Sequence, residues 1–198
     1  MTRWARFAAL YAFLGVIASV VAAVWRTGPA WVHPEPWLSL TTASSHSYSL
    51  ALGLAVGGLV VMMTRVFVTR FLWARRLHSE LRPLARGLST VGIVALALLS
   101  ALGEELLFRG LLAPWLGLVP QALLFGLAHQ IRGPSRWVWI AWASLIGLVL
   151  GAIFQLSGSL LGPVAAHALI NGLNLAYLKA HDPEPRPRAL GGLLGQRS

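Results

Sequence analysis

Glu104, Glu105, Arg109, His129, His167 and Asn171 are ionisable or strongly polar residues set in apolar surroundings. The chain has six acidic residues, and two of them stand side by side in the apolar stretch from Gly87 to about Leu112. One ionised carboxylate at mid-bilayer costs about 2.5–3.5 kcal/mol on the lenient insertion scale, and an uncompensated pair about twice that. Glu105 and Arg109 are four residues apart, share a helical face and can form an ion pair. Glu104 is turned about 100° from its neighbour and is free to face a cavity. His129 closes the segment Phe125-Gly126-Leu127-Ala128-His129, and His167 and Asn171 again lie four apart on one helical face.

Each piece alone has a plainer explanation. The glutamates could tie neighbouring helices together, His129 could be a boundary residue, and His167 with Asn171 could be interhelical hydrogen-bond glue. Their depth argues for more. Glu105 is about ten residues from the 115–119 turn, His129 nine from Pro120, and His167 eight from Ser159. At the helical rise all three lie roughly 12–15 Å below the outer surface. Polar groups from three helices at one level imply a shared cavity near the midplane.

A carboxylate and an imidazole facing one water make a hydrolytic centre. A carboxylate in an apolar site is a stronger base than one in water, which suits a general base near neutral pH. Amide hydrolysis also needs donors aimed at the developing oxyanion, each typically worth ~10²–10³ in rate. His167 and Asn171 could supply them. Other chemistries find less support. Cys is absent, so there is no thiolate nucleophile or thiolate metal site. The zinc-peptidase pattern H-E-x-x-H is missing. No cofactor is expected, although Glu104, His129 and His167 could hold a zinc by residue type.

These residues need membrane helices to position them. Hydrophobic residues make up 57% of the 198, charged residues only 11%, and mean hydropathy is +0.69. A soluble domain carries about 25% charged residues. The net charge of +10 would suggest nucleic acid in a soluble protein. Here the basic residues lie between apolar runs, as in cytoplasmic membrane loops, so no nucleic-acid partner is expected.

The pattern predicts an all-α membrane bundle with six spans: 7–25, 47–64, 87–112, 120–131, 137–155 and 159–178. The first reads as a retained anchor, longer than a signal-peptide core. Residues 27–46 read as a loop, and the Arg-rich stretch 65–86 as a basic amphipathic helix on the membrane surface. Residues 1–180 form one domain, and 181–198 a disordered basic tail. Gly53, Gly57 and Gly58 permit close helix packing. Trp31, Trp37, Trp115, Trp137 and Trp142 read as interface anchors. With the N-terminus inside, all of the sixteen basic residues except Arg26 and Arg109 fall on the cytoplasmic side, so both termini are expected there.

The ordered set Glu104-Glu105-x-x-x-Arg109, Phe125-x-x-x-His129, His167-x-x-x-Asn171 resembles the CPBP family. These are type II CAAX prenyl protease and bacteriocin-processing (Abi) membrane proteins. The resemblance covers about residues 88–178 and carries no motif in 1–87. It implies an intramembrane glutamic endopeptidase. Glu104 would activate water with His129, Glu105 would be held by Arg109, Phe125 would support the site, and His167 and Asn171 would stabilise the oxyanion. Partners would be membrane lipids and a membrane-anchored protein or peptide substrate. Arg- and Ala-rich composition points to the cytoplasmic membrane of a bacterium, where a C-terminal sorting signal, as in the myxosortase-like branch, suits better than a prenylated CAAX protein. A bacteriocin-type peptide is a further substrate class, and a non-catalytic partner or self-immunity protein with the same fold is the alternative.

Overall fold

The computed structural model describes residues 3–26 and 28–183. They form helices α1 (Arg3–Trp25), α2 (Thr42–Arg70), α3 (Leu72–Arg86), α4 (Thr90–Leu116), α5 (Leu118–Ala128), α6 (Arg136–Ser157) and α7 (Leu161–Ala180). There is no strand among the described residues, only an isolated bridge between Val32 and Ser159.

Four helices, α1, α2, α4 and α6, are long and apolar enough to cross a membrane. The expected count of six is not reached. α5 has eleven residues, about 16 Å of rise, or half the hydrocarbon thickness. The apolar run that looked continuous to residue 131 leaves the helix at His129, whose backbone turns to φ −88, ψ 60. α7 has the length, with twenty residues, but His167, Asn171 and Asn174 dilute its apolar character.

The Arg-rich stretch 65–86 is two elements rather than one. The Thr41 hydroxyl accepts the Ser44 N–H, which starts α2 at Thr42, inside the expected loop. α2 then runs 29 residues, about 44 Å, and carries Arg65 and Arg70 past the hydrocarbon. Phe71 adopts an extended backbone, and α3 folds back. Ala74, Leu77, His78, Leu81 and Ala85 recur at helical spacing and are buried. They face α7 and α2, so the apolar stripe of α3 is covered by protein rather than by lipid.

Polar ties close both ends of the bundle. At one end the Arg65 guanidinium stacks 3.7 Å from the Tyr177 ring centroid and donates to Asn174. His78 and Arg82 both donate to the His181 carbonyl, and Arg82 pairs with Asp182 at 2.8 Å. Burial holds the His78 imidazole below its ordinary range. The first residues of the expected tail are therefore docked, and residues 184–198 lie outside the described part. At the other end the 28–41 loop is pinned to the α6–α7 turn by His33 N–H to Gly158 O and Trp37 N–H to Gln155 O.

Between helices, small residues set the spacing, because lipid removes the hydrophobic drive for association and leaves close packing to hold helices together. A Cβ on Gly53 would stand 2.2 Å from the Gly162 carbonyl, so α2 and α7 touch backbone to backbone. Gly57 meets Ala166 in the same way, whereas Gly58 faces open space and has no packing role. Trp31, Trp37, Trp115 and Trp137 are exposed, but Trp142 turns inward against Phe67.

This contrast gives a stability test. Gly53→Ala should lower thermal stability in lipid nanodiscs by about 1–3 kcal/mol through overpacking. Gly58→Ala should leave it unchanged or slightly higher.

Candidate active site

α4 brings Ser100, Glu104, Glu105 and Arg109 to the bundle interior. Near its C-terminal end, Leu106–Leu112 winds as a π-helix, a form frequent at functional sites. Pro114 supplies a local reason. Its ring cannot pack against the carbonyl four residues back, and it has no N–H to give it. That carbonyl, of Gly110, instead accepts from the Arg26 guanidinium.

Glu105 and Arg109 are fully buried and paired at 2.9 Å. The second Arg109 nitrogen donates to the Gly147 carbonyl of α6 at 3.1 Å. Glu105 Oε1 also accepts the His167 Nδ1–H at 2.7 Å. One carboxylate thus fixes both an arginine on its own helix and a histidine on α7. The carboxylate acceptor assigns the Nδ1 proton and turns His167 Nε2 toward Glu104, 3.9 Å from its Oε2.

His129 reaches the same oxygen from α5. The Phe125 carbonyl, left free where the helix ends, accepts the His129 Nδ1–H at 2.8 Å. His129 Nε2 is left as an acceptor, 3.6 Å from Glu104 Oε2. That separation is too long for a direct hydrogen bond. Phe125 forms the floor. Its ring lies 4.3 Å under the Arg109 guanidinium, 4.4 Å from the His129 ring and 5.7 Å from the His167 ring. It packs against the guanidinium and both imidazoles.

The structure therefore brings Glu104, Glu105, Arg109, Phe125, His129 and His167 into one cluster. Asn171 sits one turn further along α7 and donates to Ser100 at 3.0 Å. Two polar members of this neighbourhood carry no motif. Ser100 is four residues before Glu104, on its face, and that spacing was its available signal. Gln121 is fully buried and donates to the Gly147 carbonyl that also receives Arg109. An amide in an apolar run needs such a partner, and that requirement was the signal for Gln121.

Access is one-sided. The His129 side chain is 23% exposed, against 9% for Glu104 and 5% for His167. Past His129 stands Trp139, at 5.9 Å between ring centroids. Trp139 also walls an apolar recess of about 100 Å³ with Phe67, Trp73, Leu77 and Trp142. Among the described residues no group of three His, Cys, Asp or Glu has a metal-holding arrangement.

Comparison with known proteins bears on the same segment. Residues 86–173 match the family model of the type II CAAX prenyl endopeptidase Rce1-like proteins. An uncharacterised protein of Bacillus subtilis (strain 168), YpbD, is 36% identical over 81 residues. That match covers 41% of this chain and 42% of the relative, so the chain spans about two-fifths of the curated protein it matches. No solved structure gives a significant match.

The buried pair makes a strong demand on stability. Arg109→Met should cost about 3–5 kcal/mol, because it strands the Glu105 charge. Adding Glu105→Gln should recover a large part of that loss. Thermal unfolding of the two single variants and the double variant in nanodiscs measures the coupling.

Proposed function

We propose that this chain, which belongs to the CPBP family through its residues 86–173, is an intramembrane endopeptidase that hydrolyses a peptide bond of a membrane-anchored protein or peptide with a Glu104/His129-activated water. The observation that carries this reading is the convergence of Glu104 Oε2 with the Nε2 atoms of His129 and His167 in an otherwise apolar interior.

The chemistry follows from the hydrogen-bond assignments. Glu104 takes a proton from the water while His129 Nε2 accepts the second O–H and aims the oxygen. The oxygen attacks the scissile carbonyl carbon, and the carbonyl electrons move onto its oxygen. With its Nδ1 held by Glu105, His167 would offer a donor to that oxyanion when Nε2 carries a proton. Asn171, on the same face of α7, has a second N–H to offer. Glu104 then gives its proton to the departing amine as the C–N bond breaks.

The apolar recess beside Trp139 and the opening at His129 suit a substrate that is itself apolar and arrives within the membrane. A C-terminal sorting signal of an exported protein is the substrate class we favour. Basic residues support a bacterial cytoplasmic membrane with both termini inside. α3, the 132–136 loop and the end of α7 meet at one end of the bundle, through Glu80 with Ser135 and Lys179 with the Leu88 carbonyl. Clustered Arg and Lys mark the cytoplasmic side.

The test is cleavage of a membrane-anchored peptide in proteoliposomes. Glu104→Gln and His129→Ala should each reduce turnover by about 10²–10⁴-fold while the protein still inserts. A chelator should leave wild-type turnover intact. Full activity in Glu104→Gln would defeat the assignment.

A further inference from the structure

Glu80 stands in α3, outside the segment that matches the family. Its own helix carries Arg75, Arg76, Arg82 and Arg86, yet among the described residues it forms no ion pair with any of them. Both of its oxygens go instead to one residue of another element. Oε2 accepts the Ser135 N–H at 3.2 Å, and Oε1 accepts the Ser135 hydroxyl at 2.9 Å. Ser135 is the residue from which α6 starts, and its carbonyl accepts the Trp139 N–H at 2.9 Å. A carboxylate also suits the partial positive charge at a helix N-terminus. The turn before the helix is shaped to admit the acid. Gly133 has φ +132, and a Cβ there would stand 2.6 Å from Glu80 Oε2.

This grip bears on the site because the turn it holds begins at His129. The Phe125 carbonyl fixes the near end through the imidazole, and Glu80 fixes the far end through Ser135. One turn into α6, Trp139 packs on the more open side of His129, 5.9 Å between ring centroids. Where α6 begins therefore decides where Trp139 stands. We infer that Glu80 is a positioning residue for His129: by holding Ser135 it sets the start of α6, seats Trp139 against the imidazole and keeps Nε2 directed at Glu104. The inference rests on His129 being the water-orienting residue proposed above. It makes α3, which carries no family motif, part of the frame of the site.

The test uses Glu80→Ala, Glu80→Gln and Ser135→Ala in the full chain. Glu80→Gln keeps the length and one acceptor oxygen, and its amide can donate to the Ser135 hydroxyl, so both contacts survive. The first readout is the nitrogen NMR spectrum of isotope-labelled histidine in nanodiscs, with the His129 signals identified by their loss in His129→Ala. Wild type should show a single tautomer protonated at Nδ1. Glu80→Ala should broaden or split the His129 signals, and Glu80→Gln should restore them. The second readout is turnover in proteoliposomes. kcat should fall about tenfold in Glu80→Ala, as expected for a displaced catalytic group, and recover to within about threefold of wild type in Glu80→Gln. Unchanged His129 signals in Glu80→Ala overturn the inference, and so does a loss that Glu80→Gln shares in full. Altered signals with an unmoved kcat overturn the positioning role. Should Glu80→Ala fail to fold, Ser135→Ala removes only the hydroxyl, and unchanged signals there overturn the inference equally. Because the spectrum needs no turnover, a wild type that cleaves nothing would count against the proposed function and leave the grip on His129 to be decided by NMR.

Discussion

Glu105 Oε1 receives both Arg109 and the Nδ1–H of His167, and most of the interior is arranged around these two hydrogen bonds. A buried ion pair is weak evidence for stability in itself, since desolvation offsets much of its attraction. What it does here is orient. Once Glu105 is committed to Arg109 and His167, the α4 backbone presents Glu104 on an adjacent face and His167 offers its other nitrogen. Arg109 in turn ties α4 to α6 through Gly147, where Gln121 of α5 also donates. Four helices are joined by a handful of polar atoms.

The half-length α5 has a role that a full span could not fill. It stops at His129, so its terminal carbonyls are free and one of them, from Phe125, sets the imidazole tautomer. A helix continuing through the bilayer would have used that carbonyl for itself. The turn after it leads back through Ser135, which Glu80 of α3 holds in place. Irregular backbone at membrane depth survives only where protein covers it, and α3 is part of that cover. The π-helical turn in α4 serves a related end, since it lies where Arg109 must enter the core between Phe125 and Gly147.

The remaining ties close the bundle at its ends. The 28–41 loop is hydrogen-bonded to the α6–α7 turn at one end, and α3 with His181 and Asp182 closes the other. Between them the helices approach through glycine and alanine, with apolar side chains such as Leu10, Phe13 and Val16 turned outward toward lipid. Such a frame is rigid in its middle and leaves access at His129.

The amino-acid sequence by itself determined that this is a helical membrane protein and which polar residues stand apart in its apolar runs. Apolar length and the cost of burying charge are local properties, and Glu104, Glu105, Arg109, His129, His167 and Asn171 stand out against them without any knowledge of packing. The i, i+4 pairing of Glu105 with Arg109 was legible for the same reason. Other features were not. The stop at Ala128 and the break at Phe71 were hidden, whereas the start of α2 at Thr42 had a local signal in the Thr41 cap. Gly58 looks like Gly53 in the sequence, and only the neighbour across the gap tells them apart. Ser100 gains its meaning from Asn171, about seventy positions away. That three nitrogen and oxygen atoms face one another, and that an apolar recess opens beside them, was decided by the tertiary structure, because direction in space depends on how whole helices cross.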